Sequence, residues 1–269
     1  MTLVALFLAA FTCAVSLTPV VRLAALRLGV VDHPERRKMH HVPIPLLGGA
    51  AIIIPFFGLV AVVATIAPEM LGDEMGRLRP ILAGAAVIAA VGIYDDARGM
   101  KVWSKFLFQF FAAIILVVAG LRVTLFTNPL GTALDLGWVG IPVTVLWVVG
   151  VTNAMNLIDG LDGLAAGIGV IASLSLCAVA ASADHPMVGI LALVLAGATL
   201  GFLPFNTYPA RIFLGDTGSM FLGFLLASLG LAGSLKASTA TILILPIVVL
   251  GVPVLDTLWA ILRRTQLRV

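Results

Sequence analysis

The sequence predicts an all-α integral membrane protein that crosses the bilayer about nine times and forms a single domain over residues 1–269. Hydrophobic residues make up 61% of the chain, charged residues only 11%, and the mean hydropathy is +1.16. The apolar runs are continuous and long enough to span a bilayer, whereas the strands of a membrane β-barrel would alternate. Because lipid offers no partners for backbone polar groups, such runs must be helical.

The ends of the apolar runs define the predicted spans. They cover residues 3–27, 46–66, 80–94, 103–120, 139–155, 163–182, 187–205, 217–233 and 239–261. Lysine and arginine are concentrated in one set of alternate loops, which the positive-inside rule assigns to the cytoplasm. We therefore expect the N-terminus to lie outside and the first apolar run to be an uncleaved span rather than a signal peptide.

Four polar clusters fall in loops or at helix ends on the predicted cytoplasmic side. They are residues 32–49, with basic residues, prolines and a Gly-Gly pair; 94–99, with two adjacent aspartates; 153–163, with two amides and two carboxylates; and 205–219, with Arg211, Phe213 and Asp216. Polar groups so close to apolar segments are costly unless they have partners, ions or water. We expect the clusters to form one active site at that face.

The residue types in these clusters favour phosphoryl transfer. Carboxylate and amide oxygens suit Mg²⁺, arginine can hold a phosphate oxygen, and an aromatic ring can stack on a base. The sequence has no P-loop motif and no Cys/His zinc spacing. A purely structural interpretation stays open for each cluster, in chain order: a basic loop that orients the chain, a solvated Asp-Asp helix end, an ordinary turn, and a helix cap.

The chain resembles the polyprenyl-phosphate N-acetylhexosamine-1-phosphate transferases of bacterial envelope biosynthesis over nearly its whole length. The resemblance rests on Asn153-x-x-Asn156-x-x-Asp159-Gly-Leu-Asp162-Gly-Leu-Ala, on Pro209-Ala-Arg211-Ile-Phe-Leu-Gly215-Asp216-Thr-Gly-Ser, and on the Asp95-Asp96 pair. The first loop, Arg37-Lys38-x-His40-x-x-Pro43-x-Pro45-x-x-Gly48-Gly49, is similar to the branch that uses UDP-N-acetylglucosamine or a similarly simple UDP-sugar.

The resemblance implies transfer of N-acetylhexosamine 1-phosphate, GlcNAc 1-phosphate in the first instance, from a UDP-sugar to undecaprenyl phosphate, with release of UMP. This would be the first membrane step of an envelope polysaccharide such as lipopolysaccharide or teichoic acid. The implied cofactor is Mg²⁺, with Mn²⁺ as the alternative ion. The implied location is the bacterial inner membrane, with a cytoplasmic active site. The expected partners are both substrates, membrane lipids and a second copy in a homodimer, but no nucleic acid.

The same resemblance assigns roles to individual residues. The metal would be bound by Asp216, Asn156 and Asp159. The catalytic carboxylates would be Asp95, Asp96 and Asp159, with base and nucleophile both open as roles. The nucleotide-sugar would contact Gly160, Leu161, Asp162, Arg211 and Phe213. The lipid phosphate would contact Arg37, Lys38 and His40.

Three alternatives stay open at this point. The first is the family branch that transfers phospho-N-acetylmuramoyl-pentapeptide. The second is a non-catalytic member, because the His-rich loop expected after the ninth span is not contained in this sequence, which ends at Val269. The third is a secondary transporter, although transporters usually carry internal repeats and place their polar groups near the middle of the membrane.

Overall fold

The computed structural model of the protein describes residues 2–34, 42–127 and 133–234. The described residues form eight α-helices: Leu3–Leu28 (α1), Ala50–Ile66 (α2), Met75–Arg98 (α3), Val102–Val118 (α4), Gly140–Ile158 (α5), Leu164–Ser182 (α6), Pro186–Asn206 (α7) and Gly215–Ser234 (α8). Short 3₁₀ helices cover Pro68–Glu74 and Gly137–Val139. Two small antiparallel sheets pair Val31–Asp32 (β1) with Ile44–Pro45 (β2), and Leu125–Thr127 (β3) with Ala133–Asp135 (β4).

The helical membrane fold agrees with the sequence prediction. Six of the described helices are long and apolar enough to cross a membrane, whereas α2 and α4, at 17 residues each, are shorter. The ninth predicted span, 239–261, lies outside the described residues. Two predicted boundaries are wrong where they matter for function, because α3 continues to Arg98 and α5 to Ile158. The Asp95-Asp96 pair and Asn156 are therefore helical.

Helix α8 is the central helix of the bundle. Its side chains are almost all buried, and it packs chiefly against α3 and α5, with further contacts to α2, α6 and α7. A glycine allows the closest approach to α5, because a Cβ at Gly223 would lie 2.7 Å from the Cα of Thr152. Such small residues let helix backbones approach each other in membranes. Helix α1 lies on the outside of the bundle, against α7.

Residues from all four sequence clusters meet at one end of the bundle, which we call the polar end and define as residues 29–34, 42–49, 99–101, 159–163 and 207–214. Backbone and side-chain hydrogen bonds connect its segments. The amide of Phe213 donates to the carbonyl of Pro45 at 2.9 Å, and the amide of Ala210 donates to Oδ2 of Asp162 at 2.9 Å. The polar end is therefore one connected structure rather than a set of independent loops.

The sequence predicts plain connecting loops at the other end of the bundle, and the structure corrects this. Nδ1 of His185 lies 3.0 Å from Oε1 of Glu74, and the same oxygen accepts a hydrogen bond from Arg77 at 2.9 Å. Glu74 is 8% exposed and His185 is 1% exposed. This buried cluster joins the start of α3 to the start of α7.

Candidate active site

The carboxylate of Asp216, in the first turn of α8, is held from two sides. Nδ2 of Asn156, on α5, donates to Oδ1 of Asp216 at 2.8 Å and to Oγ of Ser219 at 3.0 Å. The ammonium of Lys105, on α4, forms an ion pair with Oδ2 of Asp216 and a second ion pair with Asp95 on α3. Four helices therefore contribute side chains around a single carboxylate.

Asp96 differs from its neighbour Asp95 because it caps the start of α8. Its Oδ1 accepts the amide of Asp216 at 2.9 Å, and its Oδ2 accepts the amide of Thr217 at 3.2 Å and the Thr217 hydroxyl at 2.6 Å. The first amides of a helix lack partners within the helix, and a carboxylate is also favoured there by the helix dipole. The structure therefore gives Asp96 a role in holding α8, whereas Asp95 is paired with the ammonium.

Gly215 allows the chain to turn into α8 beside this cap. Its φ is +70°, in the left-handed region that residues with a Cβ rarely adopt, and a Cβ there would meet the carboxylate of Asp96. The glycine in Gly-Asp-Thr-Gly-Ser is thus explained by backbone geometry and by space. It brings the carboxylate of Asp216 directly after a turn.

Asp159 lies immediately beyond the end of α5, facing the same carboxylates. Burial raises the pKa of its carboxyl group well above the usual range, and the negative charges of Asp216 and Asp96 raise that pKa further. A hydrogen bond from the backbone amide of Gly215 opposes this by stabilising the ionised form. The ionised form of Asp159 is therefore disfavoured by its surroundings unless a positive charge binds nearby.

We expect Asp159→Asn to raise the melting temperature of the metal-free protein at neutral pH. Since folding raises the pKa of this acid, the folded state binds its proton more tightly than the unfolded state does. The stability that this tighter proton binding contributes is fully present below the ordinary carboxyl pKa. It is lost as the pH rises through the raised pKa of Asp159 in the folded state. Removing the charge should raise the melting temperature by about 2–4 °C for each kcal/mol gained in the free energy of unfolding.

The measurement is thermal unfolding in detergent with EDTA, at several pH values. The gain should be largest at neutral pH and should shrink at pH 4. It should also shrink with saturating Mg²⁺, because bound ligand stabilises the unsubstituted protein. A melting temperature that falls in EDTA would contradict the account.

Asp162 and the residues after α7 form a second set of contacts at the polar end. Besides the bond from Ala210 to Asp162, Oδ1 of Asn206 accepts the amide of Gly163 at 3.2 Å, and its Nδ2 donates to the carbonyl of Ile212 at 3.1 Å. Asn206 is almost fully buried. These bonds join the turn after α5 to the segment that precedes α8. One oxygen of Asp162, the predicted nucleotide contact, is used in this way.

The other predicted nucleotide contacts lie at or near the same surface. Arg211 is exposed, and its carbonyl accepts a hydrogen bond from Nε of Arg22 at 3.1 Å. Phe213 is half-buried, while Gly160 and Leu161 are exposed in the turn after α5. The structure brings these residues to the polar end, and their contact with a nucleotide stays a prediction. The predicted lipid-phosphate residues Arg37, Lys38 and His40 lie outside the described residues.

Lys105 belongs to the candidate site, and the sequence interpretation missed it. The sequence assigns it only to the count of positive charges that orient the chain. The available signal was a lysine four residues before a glutamine, Gln109, in a helix whose other residues, apart from Ser104, are aromatic or aliphatic. Residues four apart share a helix face, and polar residues inside an apolar helix usually face the protein interior.

The donors around Asp216 suit a small divalent cation. Asp95, Asp96 and Asp159 all lie close enough to Asp216 for their charges to interact, and the ammonium of Lys105 offsets only part of that charge. Among the described residues, no three His, Cys, Asp or Glu side chains are grouped tightly enough to hold a metal by themselves. Mg²⁺ fits such a site, since it usually keeps several waters and binds through one or two carboxylates plus substrate phosphates.

The fold and the site together define a polytopic helical membrane protein with an acidic, lysine-bridged site. The sequence pattern of glycosyl transferase family 4 matches residues 78–234, which is more than half of the chain. The chain is 42% identical over 263 residues to the probable undecaprenyl-phosphate N-acetylglucosaminyl 1-phosphate transferase of Bacillus subtilis (strain 168), an alignment that covers 97% of this chain and 72% of the relative. The chain belongs to glycosyl transferase family 4.

Two further relatives extend the comparison. The chain is 37% identical over 270 residues to the decaprenyl-phosphate N-acetylglucosaminephosphotransferase of Mycobacterium tuberculosis (strain CDC 1551 / Oshkosh), covering 91% of this chain and 67% of the relative. It is 35% identical over 280 residues to the phospho-N-acetylmuramoyl-pentapeptide-transferase of Desulforudis audaxviator (strain MP104C), covering 94% and 81%. The protein is therefore a multi-pass membrane phosphotransferase.

Proposed function

We propose that the protein transfers GlcNAc 1-phosphate from UDP-GlcNAc to undecaprenyl phosphate, releasing UMP. The observation that carries the proposal is the carboxylate of Asp216, held between Lys105 and Asn156 beside Asp95. The names of the Bacillus subtilis and Mycobacterium tuberculosis relatives support polyprenyl phosphate as the acceptor and N-acetylglucosamine as the sugar. The pentapeptide transferase is a relative of lower identity, and that reaction is the second candidate.

We also propose that the polar end lies at the cytoplasmic face of the bacterial inner membrane. The basic residues of the predicted inner loops support this orientation through the positive-inside rule. A cytoplasmic site meets the soluble UDP-sugar, while the acceptor reaches the same site from within the bilayer. Anionic lipid head groups at that face would contact the basic first loop. A homodimer is the expected assembly.

The reaction forms a bond between an oxygen of the acceptor phosphate and the sugar-bearing phosphorus, and it breaks the bond from that phosphorus to the oxygen that leaves with UMP. Asp216, Asn156 and Asp159 would hold Mg²⁺, or Mn²⁺ in its place, which supplies positive charge against the pyrophosphate when bound. Lys105 is placed to move from the carboxylates onto a phosphate oxygen as the substrates arrive, neutralising its charge.

The remaining residues bind and orient the substrates. Asp95 would accept a proton from the acceptor phosphate or orient it, while Asp96 keeps α8 in position through its three hydrogen bonds. The uracil and the sugar phosphates would contact Gly160, Leu161, Asp162, Arg211 and Phe213. The acceptor phosphate would contact Arg37, Lys38 and His40.

The test is UMP release by the purified protein in detergent with undecaprenyl phosphate and Mg²⁺. Two donors should be compared at equal concentration, UDP-GlcNAc and UDP-N-acetylmuramoyl-pentapeptide. We expect UMP and a labelled lipid product from UDP-GlcNAc, and neither without acceptor or with EDTA. Release from the muramoyl donor alone would favour the second candidate. A folded protein that releases no UMP from either donor would refute both.

A further inference from the structure

Gln109 on α4 and Asn153 on α5 form an amide pair inside the bundle. Nδ2 of Asn153 donates to Oε1 of Gln109 and also to the carbonyl of Val149, at 2.8 Å. In return, Nε2 of Gln109 makes a long contact of 3.5 Å with Oδ1 of Asn153 and one of 3.4 Å with Sδ of Met220 on α8. Gln109 is 1% exposed. Asn153 is partly buried, and the pair connects three helices.

Gln109, Asn153 and Met220 each lie one helical turn from a residue of the site. We call Lys105, Asn156 and Asp216 the site layer. We call Gln109, Asn153 and Met220 the amide layer. Members of the two layers are three or four residues apart on the same helix, which puts them on the same helix face. The contacts of the two layers are therefore made by the same faces of the same three helices.

On the side away from the site layer, the next residues along α4 and α5 are mostly apolar. Ala112, Ala113 and Leu116 on α4 and Val148 and Ala154 on α5 are buried. Apolar side chains tolerate small sliding movements between helices, because their contacts have no direction. A buried amide pair has one good alignment, since an amide left unpaired in an apolar interior is costly. Such a pair can fix helix register where hydrophobic packing alone does not.

We propose that the Gln109–Asn153 pair is a positioning device that fixes the register of α4 against α5. It thereby holds Lys105 and Asn156 on opposite oxygens of Asp216. Neither amide needs to touch substrate or metal for this role. The proposal rests on the proposed function for its kinetic consequence, because in that function the site layer would hold the metal and contact the pyrophosphate. Its structural consequence, a fixed distance between α4 and α5, is independent of the reaction.

The kinetic test compares Gln109→Met, Asn153→Leu and the double variant. In the double variant no amide is left unpaired, so the stability of the fold is largely kept while the hydrogen bond between α4 and α5 is lost. We expect the Mg²⁺ concentration for half-maximal UMP release to rise about tenfold in all three variants, as is typical when a residue supporting a metal ligand is removed. An exchange of the two amides, Gln109→Asn with Asn153→Gln, should restore much of the Mg²⁺ dependence.

The matched control is Trp147→Phe. Nε1 of Trp147 donates to the carbonyl of Ala227 at 3.3 Å, so this substitution also removes a bond between α5 and α8, but further from the site. It should lower the melting temperature without changing the Mg²⁺ dependence. A merely structural role for Gln109 would give the same result as this control.

The readout besides activity is the distance between spin labels on α4 and α5. Trp103→Cys and Leu157→Cys place labels at exposed positions, 84% and 59% accessible, near the polar end. The native Cys13 and Cys177 are replaced by Ser in every sample. The dipolar spectrum should show one narrow distance in this background. The spectrum should broaden with the double amide variant and stay narrow with the tryptophan control.

The two proposals fail in different ways. If the parent protein releases no UMP with any donor, the proposed function fails, while the spin-label distances still decide the positioning role. If the amide variants leave both the distance and the Mg²⁺ dependence unchanged, the positioning proposal is overturned. The positioning proposal is also overturned if Trp147→Phe changes the distance and the Mg²⁺ dependence as much as the amide variants do. The effect would then be a general loosening of the bundle.

Discussion

Asp216→Asn is expected to lower the kcat for UMP release at least about a hundredfold, with the protein still folded. Asp216 accepts bonds from Lys105 and Asn156 and is the carboxylate that the rest of the site surrounds. Asparagine keeps the shape and one acceptor oxygen, but it removes the charge that both Lys105 and a metal require. The loss should therefore persist at saturating Mg²⁺ and at saturating donor.

The measurement is kcat over a range of Mg²⁺ concentrations, with size-exclusion profile and melting temperature as tests of folding. The control is Asp184→Asn, an exposed aspartate at the opposite end of the bundle. Its φ is +55°, which asparagine also adopts readily. The control should keep full activity. Undiminished UMP release by folded Asp216→Asn protein would remove the metal assignment.

Gly49→Ala is expected to cause the largest loss of stability among single methyl additions at the polar end. A Cβ at Gly49 would lie 2.6 Å from the carbonyl carbon of Thr217 and would overlap the backbone of Gly218. Both obstacles are backbone atoms at the start of α8, so neither can rotate away. Overpacking usually costs about 1–3 kcal/mol and here should reach the upper end or exceed it. Activity should fall too, because α8 carries Asp216.

The matched control is Gly58→Ala in α2, the helix that Gly49 immediately precedes. Nothing lies within 4 Å of a Cβ built at Gly58, and a helical alanine is favoured over glycine by about 0.5–1 kcal/mol. The control should therefore match or exceed the melting temperature of the parent, and its kcat should be unchanged. Equal melting temperatures for the two variants would show that α2 and α8 can separate at no cost.

The helices could be predicted because lipid restricts the choice. An apolar run of membrane length has no alternative to helix, so its position follows directly from composition. The ends of those helices were harder to predict. The predicted third span stops at residue 94, just before Asp95 and Asp96, yet both lie in the last turn of α3. A helix can carry polar residues once it reaches the edge of the apolar region.

The roles of adjacent carboxylates could not be separated from the sequence. Neighbouring residues on a helix point about 100° apart, so Asp95 and Asp96 face different partners. Which one meets the start of α8 depends on the rotation of α3, and that rotation is set by packing against α8. Likewise, Asn153 belongs to the same motif as Asn156, but it pairs with Gln109 one turn away from the site.

The burial of α8 also has a consequence for biosynthesis. Among the described elements, α8 packs against α2, α3, α5, α6 and α7, so its position in the bundle exists only when these helices are present around it. The capping oxygens of Asp96 and the amide of Asn156 then engage Asp216 only on entry. A nascent chain that has not yet inserted α8 has no assembled site. The candidate site is therefore complete only when α8 has packed against the other contacting helices.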